Sequence, residues 1–96
     1  MSQKQEKIIM KLSVGGETFT HTVNFADQNR VRDVEKDVND LYTKWRKRFP
    51  GMTDRTVMAM VAYQFATHYK ELMAMYEEAS RLASECLGLI EESSAD

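Results

Sequence analysis

The 96-residue sequence predicts an α+β fold: a small head made of an N-terminal β-hairpin and a short helix, followed by a long C-terminal helix that forms an oligomeric coiled coil. Three observations carry this expectation. Two segments of period-two alternation flank Gly15-Gly16, an apolar stripe of helical period ends at Pro50-Gly51, and a second stripe runs from Thr53 to Glu92 without a stop signal. If helical, these roughly forty residues span about 60 Å, against a radius of gyration near 12 to 13 Å for a compact domain of this length. Such a helix outruns its own head, and an apolar stripe there is hidden only by another chain.

The head is expected over residues 1–52, with the hairpin at 7–23 and its helix at about 26–49. From Lys7 to Val14, Ile8, Met10, Leu12 and Val14 fall on one face, and Ile9, Lys11 and Ser13 on the other. Gly15-Gly16 supplies the positive φ of a tight turn. Thr18, Thr20 and Thr22 then alternate with Phe19, His21 and Val23, a β-branched and aromatic composition suited to a strand. An isolated two-stranded hairpin is marginal in water, so this one should pack on the helices or join a second hairpin in a larger sheet.

Asn24 or Asp27 is placed to cap the next helix, whose stripe is Val31, Val34, Val38, Leu41, Trp45 and Phe49. Proline disfavours helical geometry in the residue before it, and Gly51 would take a left-handed turn, so the helix stops at Pro50-Gly51. Thr53 offers a hydroxyl to the free amides of the long helix at 53–92, and Asp54 complements its dipole. Along that helix Met58, Phe65, Leu72, Ala79 and Cys86 recur at one heptad position, and Val61, His68, Met75, Leu82 and Leu89 three residues on. A third row, Ala62, Tyr69, Tyr76, Ala83 and Ile90, lies beside them. This seam is wider than that of a two-stranded coil, which points to more than one neighbouring helix. Burying eight of its large side chains is worth on the order of 12 to 24 kcal/mol. The start of the helix is expected to pack on the head; Phe65, His68, Leu72, Met75, Ala79, Leu82, Cys86 and Leu89 are the oligomer-interface candidates. Met1–Glu6 and the tail at 93–96 read as frayed ends.

The formal charge of −2, with 43% hydrophobic and 29% charged residues, describes an ordinary one-domain chain with no global preference for nucleic acid or membrane. Charge is unevenly spread: Lys44, Arg46, Lys47 and Arg48 form a basic knot, while Glu71, Glu77, Glu78, Glu85, Glu91, Glu92 and Asp96 make the last third acidic. A lone cysteine excludes an intramolecular disulfide, and the lack of a signal peptide or a long apolar run points to a reducing cytosol.

No catalytic constellation stands out, and no cofactor or metal is called for. His21 reads as a strand side chain, and His68 as a polar seam position that fixes register, with proton sensing a lesser option. Cys86 reads as a small buried hydrophobe, since no neighbouring cation would make it reactive. The Met58/Met60 and Met73/Met75 pairs point apart on a helix and cannot chelate; they are adaptable interface filler. Gly15-Gly16 lacks the spacing of a phosphate loop. The basic knot reads first as a solvated helix end whose cations complement the dipole, next as a contact for an acidic protein, and last as a nucleic-acid contact.

The order of elements, with Val14-Gly15-Gly16-Glu17-Thr18-Phe19 at the hairpin and Thr53-Asp54-Arg55-Thr56-Val57-Met58-Ala59-Met60-Val61-Ala62-Tyr63-Gln64 opening the long helix, resembles the ZapA family. These are small bacterial cell-division proteins that bind the tubulin-like GTPase FtsZ, and the resemblance runs from about Ile8 to Ile90. It implies a non-enzymatic cytoplasmic protein at the midcell division site. It also implies dimerisation through head and coil, with two dimers able to pair into an antiparallel tetramer that bridges FtsZ protofilaments. Arg46, Arg48, Asp54 and Arg55 become the FtsZ-contact candidates. Glu17 stands where the family frequently has a basic residue, which reverses the charge at that corner. The coil ends near Ile90, which makes a dimer the firmer expectation and a tetramer the further one. The rival readings are a generic coiled-coil adaptor with another protein client, and a nucleic-acid-binding dimer that uses the basic knot.

Overall fold

The computed structural model describes residues 6–94 and divides the chain into two compact units, with the boundary between Val61 and Ala62. Of the expected frayed ends at Met1–Glu6 and 93–96, residues 1–5 and 95–96 lie outside the described residues, while Ser93 and Ser94 belong to the long helix rather than to a tail. The first unit contains strands β1 (Lys7–Val14) and β2 (Glu17–Asn24), a 3₁₀ turn (Phe25–Asp27), helix α1 (Gln28–Arg48) and the opening turns of helix α2 (Asp54–Ser94). The predicted order of hairpin, helix and long helix is thus the observed one.

β1 and β2 pair antiparallel, from Val14 opposite Glu17 at the turn to Lys7 opposite Asn24 at the open end. The turn itself is Gly15 at φ 60° and Gly16 at φ 85°, a left-handed pair that matches the twist of the flanking strands and that L side chains resist. Opposite residues share a face, so Ile8, Met10 and Leu12 line up with Val23, His21 and Phe19. Met10, Leu12 and Val23 are buried on that face, with Ile8 and Val31 of α1 packed against them. Coverage is uneven: Phe19 remains 49% exposed, and on the other face Ile9 is open to solvent.

α1 also holds the outer edge of β1. Asn39 donates from Nδ2 to the Ser13 carbonyl (2.7 Å) and accepts from the Gly15 amide at Oδ1 (2.9 Å), so one side chain fixes the strand's last residues and its turn. Glu35 accepts from the Ser13 amide (2.7 Å), and Arg32 donates to the Lys11 carbonyl (3.1 Å) and pairs with Glu35 (3.0 Å). The Ser13 amide, and then the Arg32 guanidinium, hold the Glu35 carboxyl below the usual carboxylate range.

Two local expectations change. Asp27 occupies the cap position of α1 but makes no side-chain cap; it pairs with Arg30 at 3.2 Å instead, and Asn24 donates weakly to it at 3.4 Å. Gly51 has no positive φ, because the break needs none: Phe49 before the proline leaves the helical region at φ −123°, ψ 66°. Its amide still closes on the Trp45 carbonyl, and the Met52 amide on the Phe49 carbonyl. Leu41, Tyr42, Trp45 and Phe49 of this stripe are half-buried, while Val34 is exposed.

Thr53 caps α2 as its hydroxyl predicts, accepting from the Thr56 amide at 3.1 Å. One turn on, Val57 and Val61 are the most deeply buried residues described, at 0% and 1% exposure. Met58 between them meets the hairpin tip: a Cβ added at Gly15 would run into its terminal methyl and into van der Waals contact with the Tyr42 ring.

In the second unit α2 continues to Ser94. From His68 to Leu87 every side chain is exposed, the apolar ones included.

Candidate functional site

Two surfaces gather the residues the sequence singles out. The first is the α1–α2 corner of the head, where Arg46 sits in the last turn of α1 and Asp54 in the first turn of α2. The Pro50-Gly51 break brings them together. Arg46 Nε lies 2.9 Å from the Asp54 carboxylate, and its Nη1 donates to the Met52 carbonyl at 2.6 Å. The Tyr42 hydroxyl joins the same carboxylate; burial, then the charge and hydrogen bond of Asp54, push its phenol above the ordinary value. Arg46 and Asp54 are therefore engaged with each other and tie the start of α2 to α1.

Arg48 and Arg55 differ from that pair. The Arg48 guanidinium stacks over the Phe49 ring at 5.5 Å, leaving its charge outward. Arg55 is exposed in the first turn of α2 with no polar partner among the described residues, as are Lys44 and Lys47 on α1. Arg48, Arg55, Lys44 and Lys47 thus have no ion-pair partner among the described residues, and such cations can meet an acidic protein surface. Sequence reading missed Tyr42; its spacing of four from both Val38 and Arg46 placed it on the stripe, where it joins the core to the Arg46–Asp54 pair.

The second surface is the α2 seam in residues 62–92. Phe65, Leu72, Leu82, Met75 and Leu89 are all at least partly open, with Leu72 and Leu89 64% exposed. His68, Ala79 and Cys86 are exposed in the same rows. Within the seam, Gln64 Nε2 lies 2.9 Å from His68 Nε2, a polar pair one turn apart that leaves apolar residues above and below it. On the flank Arg81 holds Glu78 and Glu85, each at 2.6 Å. These acids are thereby directed along the helix.

Among the described residues no group of His, Cys, Asp and Glu could hold a metal ion, and no helix is long and apolar enough to cross a membrane. A groove of about 260 Å³ is lined by Lys7, His21, Asn24, Asp27 and Arg30, and Asp27 pairs with Arg30 in it.

A search of curated proteins and a search of solved structures each found no match. A scan against protein-family models matched residues 10–93 to the family described as "Cell division protein ZapA".

Proposed function

The chain belongs to the ZapA family of bacterial cell-division proteins, and from that membership we propose that it binds FtsZ through its heads and cross-links FtsZ protofilaments as a homo-oligomer held by α2. Its proposed place is the cytoplasm at the midcell division site, and its role there is non-enzymatic, as the family's is.

The observation that carries the bridging mechanism is the run of uncovered seam residues from Phe65 to Leu89. Large side chains repeating on one helical face favour association with a like helix, at about 1.5 to 3 kcal/mol for each one fully buried. Pairing joins two or more heads in one particle. Each head then needs only a weak contact, because the second binding event is intramolecular once the first has formed.

At the head we propose Arg48 and Arg55, with Lys44 and Lys47 beside them, as the groups that meet FtsZ directly. Arg46 and Asp54 act one step back, by fixing the corner on which Arg48 and Arg55 stand. The whole seam set, Phe65, His68, Leu72, Met75, Ala79, Leu82, Cys86 and Leu89, remains the proposed oligomer interface. A dimer is the minimal unit and an antiparallel tetramer its extension.

The test is co-sedimentation with FtsZ polymerised in GTP, compared with FtsZ in GDP and with a Leu72→Glu variant. Expected is co-pelleting with polymer, an increase in pelleted FtsZ, and loss of that increase in the variant. A wild-type oligomer that stays in the supernatant would overturn FtsZ binding and leave an adaptor for another client. Bundling by a demonstrated monomer would overturn bridging.

A further inference from the structure

Pro50, Gly51 and Met52, which form the break between α1 and α2, are all exposed, yet the main chain around them is held on both sides. The Phe49 amide closes on the Trp45 carbonyl at 2.8 Å, the Met52 amide on the Phe49 carbonyl at 3.1 Å, and the Met52 carbonyl accepts from Arg46 Nη1 at 2.6 Å. The Thr53 cap fixes the next residue. Met52 thus carries a thioether side chain, 40% exposed, on a main chain bonded through both its amide and its carbonyl.

A lone exposed apolar side chain is ordinary on a protein surface. Its neighbour Gly51 is not ordinary. A four-residue turn demands glycine where its third residue takes a positive φ, and Gly51 has none. A Cβ added there would meet no atom within 4 Å, in contrast to Gly15. Neither backbone conformation nor packing within the chain calls for glycine, although an alanine compatible with the same backbone would stabilise by restricting the unfolded chain. What a missing side chain still provides is close approach of another molecule to the main chain.

We propose that Pro50-Gly51-Met52 is the centre of the FtsZ contact, with Met52 as an apolar anchor and Gly51 as the point of closest main-chain approach. This contact presupposes the FtsZ binding proposed above, and the FtsZ surface that fits it is an apolar pocket rimmed by carboxylates. The rim follows from charge: Lys44, Lys47 and Arg48 precede the break and Arg55 follows it, and none has an ion-pair partner among the described residues. An apolar centre inside a polar rim is the usual anatomy of a protein interface, and Met and Arg are both enriched there. The pinned main chain adds to the anchor's worth, because less order remains to be imposed on binding.

The test is a titration of co-sedimentation with GTP-polymerised FtsZ, read beside thermal melting and sedimentation of the protein alone. Met52→Ser should bind about tenfold weaker or worse, with melting and oligomer size as in the wild type, and Met52→Leu should restore binding. Gly51→Ala should melt no lower than the wild type, whereas Gly51→Gln should stay folded and lose binding. Undiminished binding by Met52→Ser or by Gly51→Gln, with the wild type pelleting, overturns this centre and leaves FtsZ binding to the cations. Equal loss in Met52→Leu, or a lower melting temperature for Gly51→Ala, gives the loop a structural role and overturns the contact. If the wild type itself does not pellet with polymer, FtsZ binding fails and this centre with it.

Discussion

Two stretches of the same helix, Asp54–Val61 and Ala62–Glu92, carry the same kind of apolar repeat and meet opposite fates. Val57 and Val61 are sealed from water within the first unit, whereas Leu72, Met75 and Leu89 are each more than 60% exposed. The contrast teaches that periodicity identifies which side chains need cover and is silent on who supplies it. In the first stretch the head of the same chain does; in the second the cover is proposed to come from another copy.

The largest expected effect breaks the contrast at its buried end. Val61→Asp puts a carboxylate where no water reaches, at a cost on the order of 4 kcal/mol or more, a large share of the roughly 5 to 15 kcal/mol that holds a small domain together. Thermal melting should show the head unfolded or nearly so. The matching change at the exposed end, Leu72→Glu, should leave that melting transition in place. It removes about 1.5 to 3 kcal/mol of apolar burial per chain from the assembled seam and adds repulsion, so sedimentation should show dissociation. If Leu72→Glu unfolds the head as Val61→Asp does, the two stretches are one cooperative unit and the contrast fails.

Gly15→Ala tests the head with a smaller change. The left-handed φ costs roughly 1 to 2 kcal/mol for an L residue, and the added methyl also meets Met58. Gly16→Ala has the same kind of φ but open space, so it should shift melting less, and neither should alter assembly through α2. The smallest effect is one of pH. Because the folded Glu35 carboxyl is held below its unfolded value, its contribution is fully present above the unfolded carboxylate range. It is lost as pH falls through the lowered folded value. Glu35→Gln should remove that part of the acid sensitivity, measured as the difference in melting temperature between neutral and acidic buffer.

Most of the fold was legible because its signals are local. The Gly15-Gly16 turn, the alternation on either side of it, the Thr53 cap and the Pro50 stop each act within a few residues. Contacts across long loops were not legible. Glu35 and Asn39 reach strand residues more than twenty positions away, and nothing in their neighbourhoods distinguishes them from solvated helix residues. The candidate site divides the same way. The basic knot is visible as composition, but Arg46 differs from Arg48 only through a carboxylate on the far side of the break. Val61 keeps the heptad of the seam although the start of the helix is expected to pack on the head; that burial within the first unit reaches as far as Val61 is a tertiary outcome that the repeat does not encode.

The one tryptophan of the chain, Trp45, lies half-buried in α1, within the first unit. Its emission therefore reports on the head, while far-ultraviolet ellipticity is dominated by the 41 residues of α2. Natural optics thus separate the two stretches, so head loss and coil loss can be followed in one cuvette without a dye, a tag or a second protein.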